Sequence, residues 1–227
     1  MKHTRSSTTV LLLCVSVTLI ALPLGNPTDA YARQRQQQQQ QQQSRLPDHG
    51  HSASAVHVNY TRTVADYELP EVQLVGKDGL KTSLSSVLKH DGPIMLQFIF
   101  TTCPTICPVM SSTFSAAQAK LGEDLGKARM ISISIDPEHD TPERLRDYAR
   151  RFRAGQQWLF LTGSAEDIAA VQKGFDAYRG SKMRHEPLTF LRAGPGAPWV
   201  RLDGLMSATQ LVAEYRGLIQ KRVSLVP

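Results

Sequence analysis

The chain has 227 residues, 41% of them hydrophobic and 20% charged. That is enough apolar content for a packed core and excludes a disordered or fibrous protein. Its 26 basic and 20 acidic residues leave a formal charge of +6. The surplus is scattered, as in Arg144, Arg146, Arg150, Arg151 and Arg153. A nucleic-acid surface would cluster such charges among aromatics. Here they read as a solvated basic face, with weak attraction for an acidic partner or a membrane surface.

Lys2, His3 and Arg5 precede an apolar run from Val10 to Leu24, and Ala30-Tyr31-Ala32 supplies a small-x-small cleavage pattern. That order defines residues 1–32 as a secretory signal peptide. The run is short for a membrane span, which needs about 20 residues, so an uncleaved anchor is the lesser alternative. Cys14 lacks the small residue expected before a lipid-modified cysteine. Residues 33–63 read as a solvated tether containing Gln36 to Gln43. His49, His51 and His57 lie in it, as a weak metal-binding pattern or as plain polar residues. The leader points to a periplasmic location.

The folded domain is expected over 64–227. Val72 to Val75, then Gly76-Lys77-Asp78-Gly79, predicts a strand and a turn into a second short strand. Thr82 to Leu88 reads as a short helix, broken by Asp91-Gly92-Pro93, and Ile94 to Phe100 as a buried strand. Val109, Met110, Phe114, Ala117 and Leu121 have helical spacing, ended by Gly122 and Gly126. Arg129 to Ile135 is a β-branched strand, and Thr141-Pro142-Glu143 caps the next helix. Trp158 to Thr162 is a strand, and Ser164 caps a helix that buries Ile168, Val171 and Phe175. Pro187 to Arg192 and Trp199 to Asp203 form an antiparallel pair before a closing helix from Thr209 to Lys221. This alternation calls for an α/β sheet covered on both faces. It matches a thioredoxin-like fold, a central mixed sheet flanked by helices, with an extra N-terminal β-hairpin.

Between the buried strand and its helix stands Phe100-Thr101-Thr102-Cys103-Pro104-Thr105-Ile106-Cys107-Pro108. A disulfide across so short a separation would constrain the unfolded chain little, so the pair suits chemistry better than stapling. Pro108 sits best as the first helical residue, with Cys107 as its cap. The helix N-terminus is then expected to favour a thiolate at Cys107. Two thiolates on such a turn can form a redox-active disulfide or hold a soft ion such as Cu(I). A third ligand would come from His139, in a polar turn, or from His185, on the loop that faces the cysteines.

From about Tyr67 to Leu218 the chain resembles the Sco/SenC family of thioredoxin-like copper proteins. The resemblance is carried by the cysteine segment and by Ser134-Ile135-Asp136-Pro137-Glu138-His139-Asp140-Thr141-Pro142-Glu143. Leu161-Thr162-Gly163 and His185 followed by Phe190-Leu191 complete it. The resemblance implies that Cys103, Cys107 and His185 ligate copper, as Cu(I) or Cu(II), with Asp136 a supporting acid. It also implies a role in assembling the binuclear copper centre of cytochrome c oxidase, with the copper-accepting subunit or another exported copper protein as partner. Thr102 and Arg184-His185-Glu186 depart from the family's usual histidine before the first cysteine and aspartate before the late histidine. The positive charge of Arg184 is expected to disfavour an imidazolium at His185 and to repel a cation. Pro187 stands where thioredoxin-like oxidoreductases carry a cis-proline, which leaves the isomer of Glu186–Pro187 open. The alternative function is therefore a thiol–disulfide oxidoreductase acting on exported copper-site proteins. In it Cys103 attacks and Cys107 resolves.

Overall fold

The computed structural model describes residues 60–224. The leader, the polyglutamine and the tether histidines lie outside these residues. In chain order the elements are β1 (Thr61–Ala65), β2 (Gln73–Gly76), β3 (Lys81–Ser83), α1 (Leu84–Leu88), β4 (Ile94–Ile99) and α2 (Ile106–Leu121). They continue with β5 (Arg129–Ser134), α3 (Pro142–Arg151), β6 (Trp158–Gly163), α4 (Ala165–Gly174), β7 (Leu188–Arg192), β8 (Trp199–Asp203) and α5 (Ala208–Ser224).

The strands form one mixed eight-stranded sheet in the order β1-β8-β7-β4-β5-β6-β2-β3. β4, β5 and β6 run parallel, and every other neighbouring pair is antiparallel. β4 lies at the centre because all six of its residues are buried, as a strand covered on both faces requires. Its alternate residues enter two different cores. Met95 and Ile99 join the cluster under α2, α3 and α5, while Ile94, Leu96 and Phe98 join the one under α1 and α4. Phe175 anchors the second core, with ring centroids 4.9 Å from Phe190, 5.2 Å from Trp199 and 5.8 Å from Phe98. Phe175→Ala is expected to lower stability by about 3 kcal/mol, since the emptied volume lies against the fixed face of β4, β7 and β8 and refills poorly. Urea unfolding followed by circular dichroism checks this.

The caps follow the sequence. Thr141 Oγ1 accepts from Arg144 N at 3.3 Å with Pro142 opening α3, and Ser164 Oγ accepts from Asp167 N at 3.0 Å. Gly79, at φ +85°, closes the turn between β2 and β3 in a conformation that favours glycine.

Two features differ from expectation. β1 pairs with β8 from Thr61↔Asp203 to Ala65↔Trp199, so ordered chain starts before residue 64. Four of its five residues are exposed, and an edge strand with no buried face shows no alternating pattern. α2 begins at Ile106 with Thr105 at its N-cap, two residues before the expected start. Pro108 is thus the third helical residue. The first four helical amides have no intrahelical acceptor, so its missing N–H breaks nothing there.

Candidate metal centre

The C-terminal end of β4 feeds the cysteine loop, and α2 carries the chain away from it. Both cysteines are free thiols. Cys107 is fully buried and Cys103, 8% exposed, lies nearer the surface. The backbone N–H of Cys107 donates to Cys103 Sγ at 3.4 Å, and the N–H of Phe100 donates to Cys107 Sγ at 3.4 Å. The loop is closed behind them by the Cys103 N–H on Phe100 O at 3.1 Å.

The two sulfurs are not equivalent. Burial pushes the Cys103 thiol up, but the amides of Cys107, Thr105 and Ile106 converge on it and bring it below the ordinary value. Burial pushes the Cys107 thiol far up. The Phe100 amide offsets part of this, while the neighbouring sulfur and the charge of Asp140 add to it. Cys103 is therefore the thiol that gives up its proton more readily, not Cys107 as the sequence suggested. The reason is the helix start: free amides point at the residue ahead of α2, while Cys107, inside its first turn, is folded into the core.

His185 arrives from the other side. β7 is antiparallel to β4, with Gln97 opposite Thr189, so the loop before β7 stands at the cysteine end of β4. A short turn, Lys182–Arg184, ends at His185. The imidazole packs edge-on to the Phe100 ring, with centroids 6.3 Å apart. Burial lowers its pKa to about 4, with a hydrogen bond to the Phe98 backbone and the charge of Glu186 opposing the shift. Arg184 is exposed and has no part in it, so burial accounts for the neutral ring. Nε2 is buried without a hydrogen-bond partner. A neutral imidazole with one nitrogen bonded to backbone and the other left bare is the state in which histidine binds metals.

Two aspartates support these segments. Asp136 Oδ2 accepts from Lys182 Nζ at 2.6 Å, and Oδ1 lies 3.2 Å from His139 Nδ1. Asp140, fully buried, accepts from Thr101 N at 3.0 Å, Thr101 Oγ1 at 2.5 Å and Ser134 Oγ at 2.6 Å. Asp140 and Lys182 were not singled out from the sequence. The Asp-Pro-Glu-His-Asp spacing was the available signal for the first, and nothing marked the second. Under α2 a buried polar chain runs from Gln97 Nε2 to Ser132 Oγ and Trp158 Nε1, each contact 2.9 Å.

Among the described residues no three His, Cys, Asp or Glu side chains stand close enough together to hold a metal ion. The fold brings Cys103 and Cys107 together and sets His185 beside their strand, but does not close the three-ligand set. Glu186–Pro187 is trans, no cis peptide bond being present among the described residues.

A cysteine pair where a central strand meets its helix, in a sheet of this order, defines a thioredoxin-like protein with thiol or soft-metal chemistry. The chain belongs to the SCO1/SenC family, whose model matches residues 70–220. It is similar to the SCO1 protein homolog of Bacillus subtilis, 37% identical over 103 residues, covering 44% of this chain and 52% of that protein. It is also similar to a putative copper-binding protein of Stutzerimonas stutzeri, 33% identical over 109 residues, covering 46% of this chain and 50% of that one. The matched stretch spans about half the length of these two relatives. Among solved structures, Arabidopsis thaliana ScoI with copper bound is 26% identical with a TM-score of 0.58, covering 67% of this chain and 98% of that one. BsSco, a member of the Sco family of cytochrome c oxidase assembly proteins, is 27% identical with a TM-score of 0.58, covering 70% and 96%.

Proposed function

We propose that this chain is an exported copper-binding protein that delivers copper to, or prepares, the binuclear copper site of cytochrome c oxidase. The observation that carries the reading is the bare, buried Nε2 of His185, on a ring packed against Phe100 at the end of the strand that leads into the two cysteines. The similarity to ScoI with copper bound and to BsSco supports it. Copper is cargo here. Cys103 supplies a thiolate held by helix amides, Cys107 loses its proton as the soft cation arrives, and His185 shifts to close the set with Nε2. Loading therefore releases protons and weakens as pH falls. Asp136 acts through Lys182, away from the metal. The leader supports a periplasmic location, with an uncleaved anchor as the alternative. Among the described residues no helix is long and apolar enough to cross a membrane. The partner is the copper-accepting subunit or another exported copper protein.

Copper titration of the reduced full-length protein, followed by absorbance, tests this. One tightly bound Cu(II) with a thiolate charge-transfer band is expected, and the band should be lost in His185→Ala. Identical binding by the variant removes His185 from the site.

The unequal thiols favour a second reading, a thiol–disulfide oxidoreductase. An attacking thiolate at Cys103 and a protonated, buried Cys107 that resolves the mixed disulfide fit that role. It predicts that His185→Ala still reduces exported disulfides. Failure of the reduced protein to reduce any such substrate excludes it.

A further inference from the structure

Resting on the copper reading, we propose that Lys182 is a positioning residue of the site, the brace that holds the His185 turn against the cysteine loop. His185 hangs from a turn whose backbone is closed on itself. Ser181 Oγ accepts from Met183 N at 3.3 Å, and His185 N donates to Lys182 O at 3.1 Å. The ring is held by its hydrogen bond to the Phe98 backbone and its edge contact with Phe100, while the turn that carries it needs an anchor of its own. Lys182 provides it. Its ammonium donates to Asp136 Oδ2 at 2.6 Å, a carboxylate only 6% exposed. Asp136 is itself held by its N–H on Ser134 Oγ at 3.0 Å, at the end of β5. The same ammonium lies 5.9 Å from the Phe100 ring, which the His185 ring meets edge-on. Phe100 also binds Cys107 Sγ through its N–H.

One cation therefore ties together the end of β5, the end of β4 and the turn before β7. An ordinary surface ion pair contributes little because both partners stay solvated and mobile. This pair differs, since its acid is covered and its position is set by backbone. The neighbouring charges do not replace it. Arg179 is committed to Glu186 and Asp176, and His139 touches the other oxygen of Asp136. Arg144 donates to His139 O. Because the metal-free fold leaves the ligand set open, copper must draw His185 in. A turn that is already anchored loses less freedom in that step.

The test uses the full-length protein, reduced, in wild type, Lys182→Met and Lys182→Arg. Lys182→Met is expected to bind Cu(II) about tenfold more weakly or worse, the usual range for loss of a group supporting a metal ligand. Its nitrogen coupling in electron paramagnetic resonance should spread over several environments. In the metal-free protein its His185 ring signal, read by NMR, should broaden or move. Lys182→Arg keeps the charge and should restore both affinity and signal. A wild type that binds copper while Lys182→Met binds equally well, or keeps an unchanged ring signal, overturns the brace and leaves the copper reading standing. Equal weakening in Lys182→Arg also overturns it. A wild type that binds no copper overturns both.

Discussion

Asp140→Ala is expected to lower the unfolding free energy by about 4 kcal/mol, the range for removing one partner of a buried charged network. Its carboxylate takes three donors at once, the Thr101 N–H, the Thr101 hydroxyl and the Ser134 hydroxyl. Asp140 and Ser134 are fully buried and Thr101 is half-buried, so the Ser134 hydroxyl at least is left without a partner when the acid is gone. Thr101 stands two residues before Cys103, so the loss falls directly on the loop that carries the sulfurs. Asp140→Asn should cost about half as much. One oxygen still accepts, while the amide nitrogen must face hydroxyls that were donating. Urea unfolding measures the first effect. Hydrogen exchange at the Thr101 amide, faster in both variants than in wild type, shows that the damage begins in the cysteine loop.

The second large effect is chemical. Alkylation of the reduced, metal-free protein by iodoacetamide at neutral pH should modify Cys103 about a hundredfold or more faster than Cys107. The thiolate is the reacting species, so a thiol held below its ordinary value reacts at a lower pH than a free cysteine. One pushed far above that value contributes almost no thiolate in the same range. The Cys103 rate should rise with pH and level off below the ordinary thiol range, while the Cys107 rate keeps climbing. Burial adds to the contrast, since Cys107 has no exposed surface. Mass spectrometry of the labelled peptides from Cys103→Ser and Cys107→Ser separates the sites. Comparable labelling of both in the wild type would remove the asymmetry on which the oxidoreductase reading stands.

The central sheet was legible because its signals are local. Ile94 to Ile99 is an unbroken apolar run, and Thr141-Pro142 and Ser164 are caps whose partners lie three residues away. The cysteine segment was legible for the same reason, a short chain pattern joined to a strand. β1 was not, since Thr61-Arg62-Thr63-Val64 carries no buried face and is a strand only because β8 offers it an edge. The sulfur that carries the charge was misplaced by two residues of helix. Proline at the third position of a helix is as tolerable as at the first, and spacing cannot separate the two. Asp140 and Lys182 were hidden for a deeper reason. Both act between loops far apart in the chain, and Lys182 on its own resembles any surface lysine.

The antiparallel register of β7 on β4 has a consequence for quality control. Cys103 and Cys107 are neighbours in any conformation, but the turn that carries His185 is brought to the cysteine end of β4 only once β7 has paired with that central strand. A chain with an incomplete sheet could hold copper by two sulfurs alone, loosely and reversibly. Tight retention would then report a finished fold, and copper supply would discriminate between mature and immature molecules with no separate inspector. Metal bound more tightly by the native state than by the unfinished chain also stabilises the native state, so the cargo would extend the lifetime of its carrier.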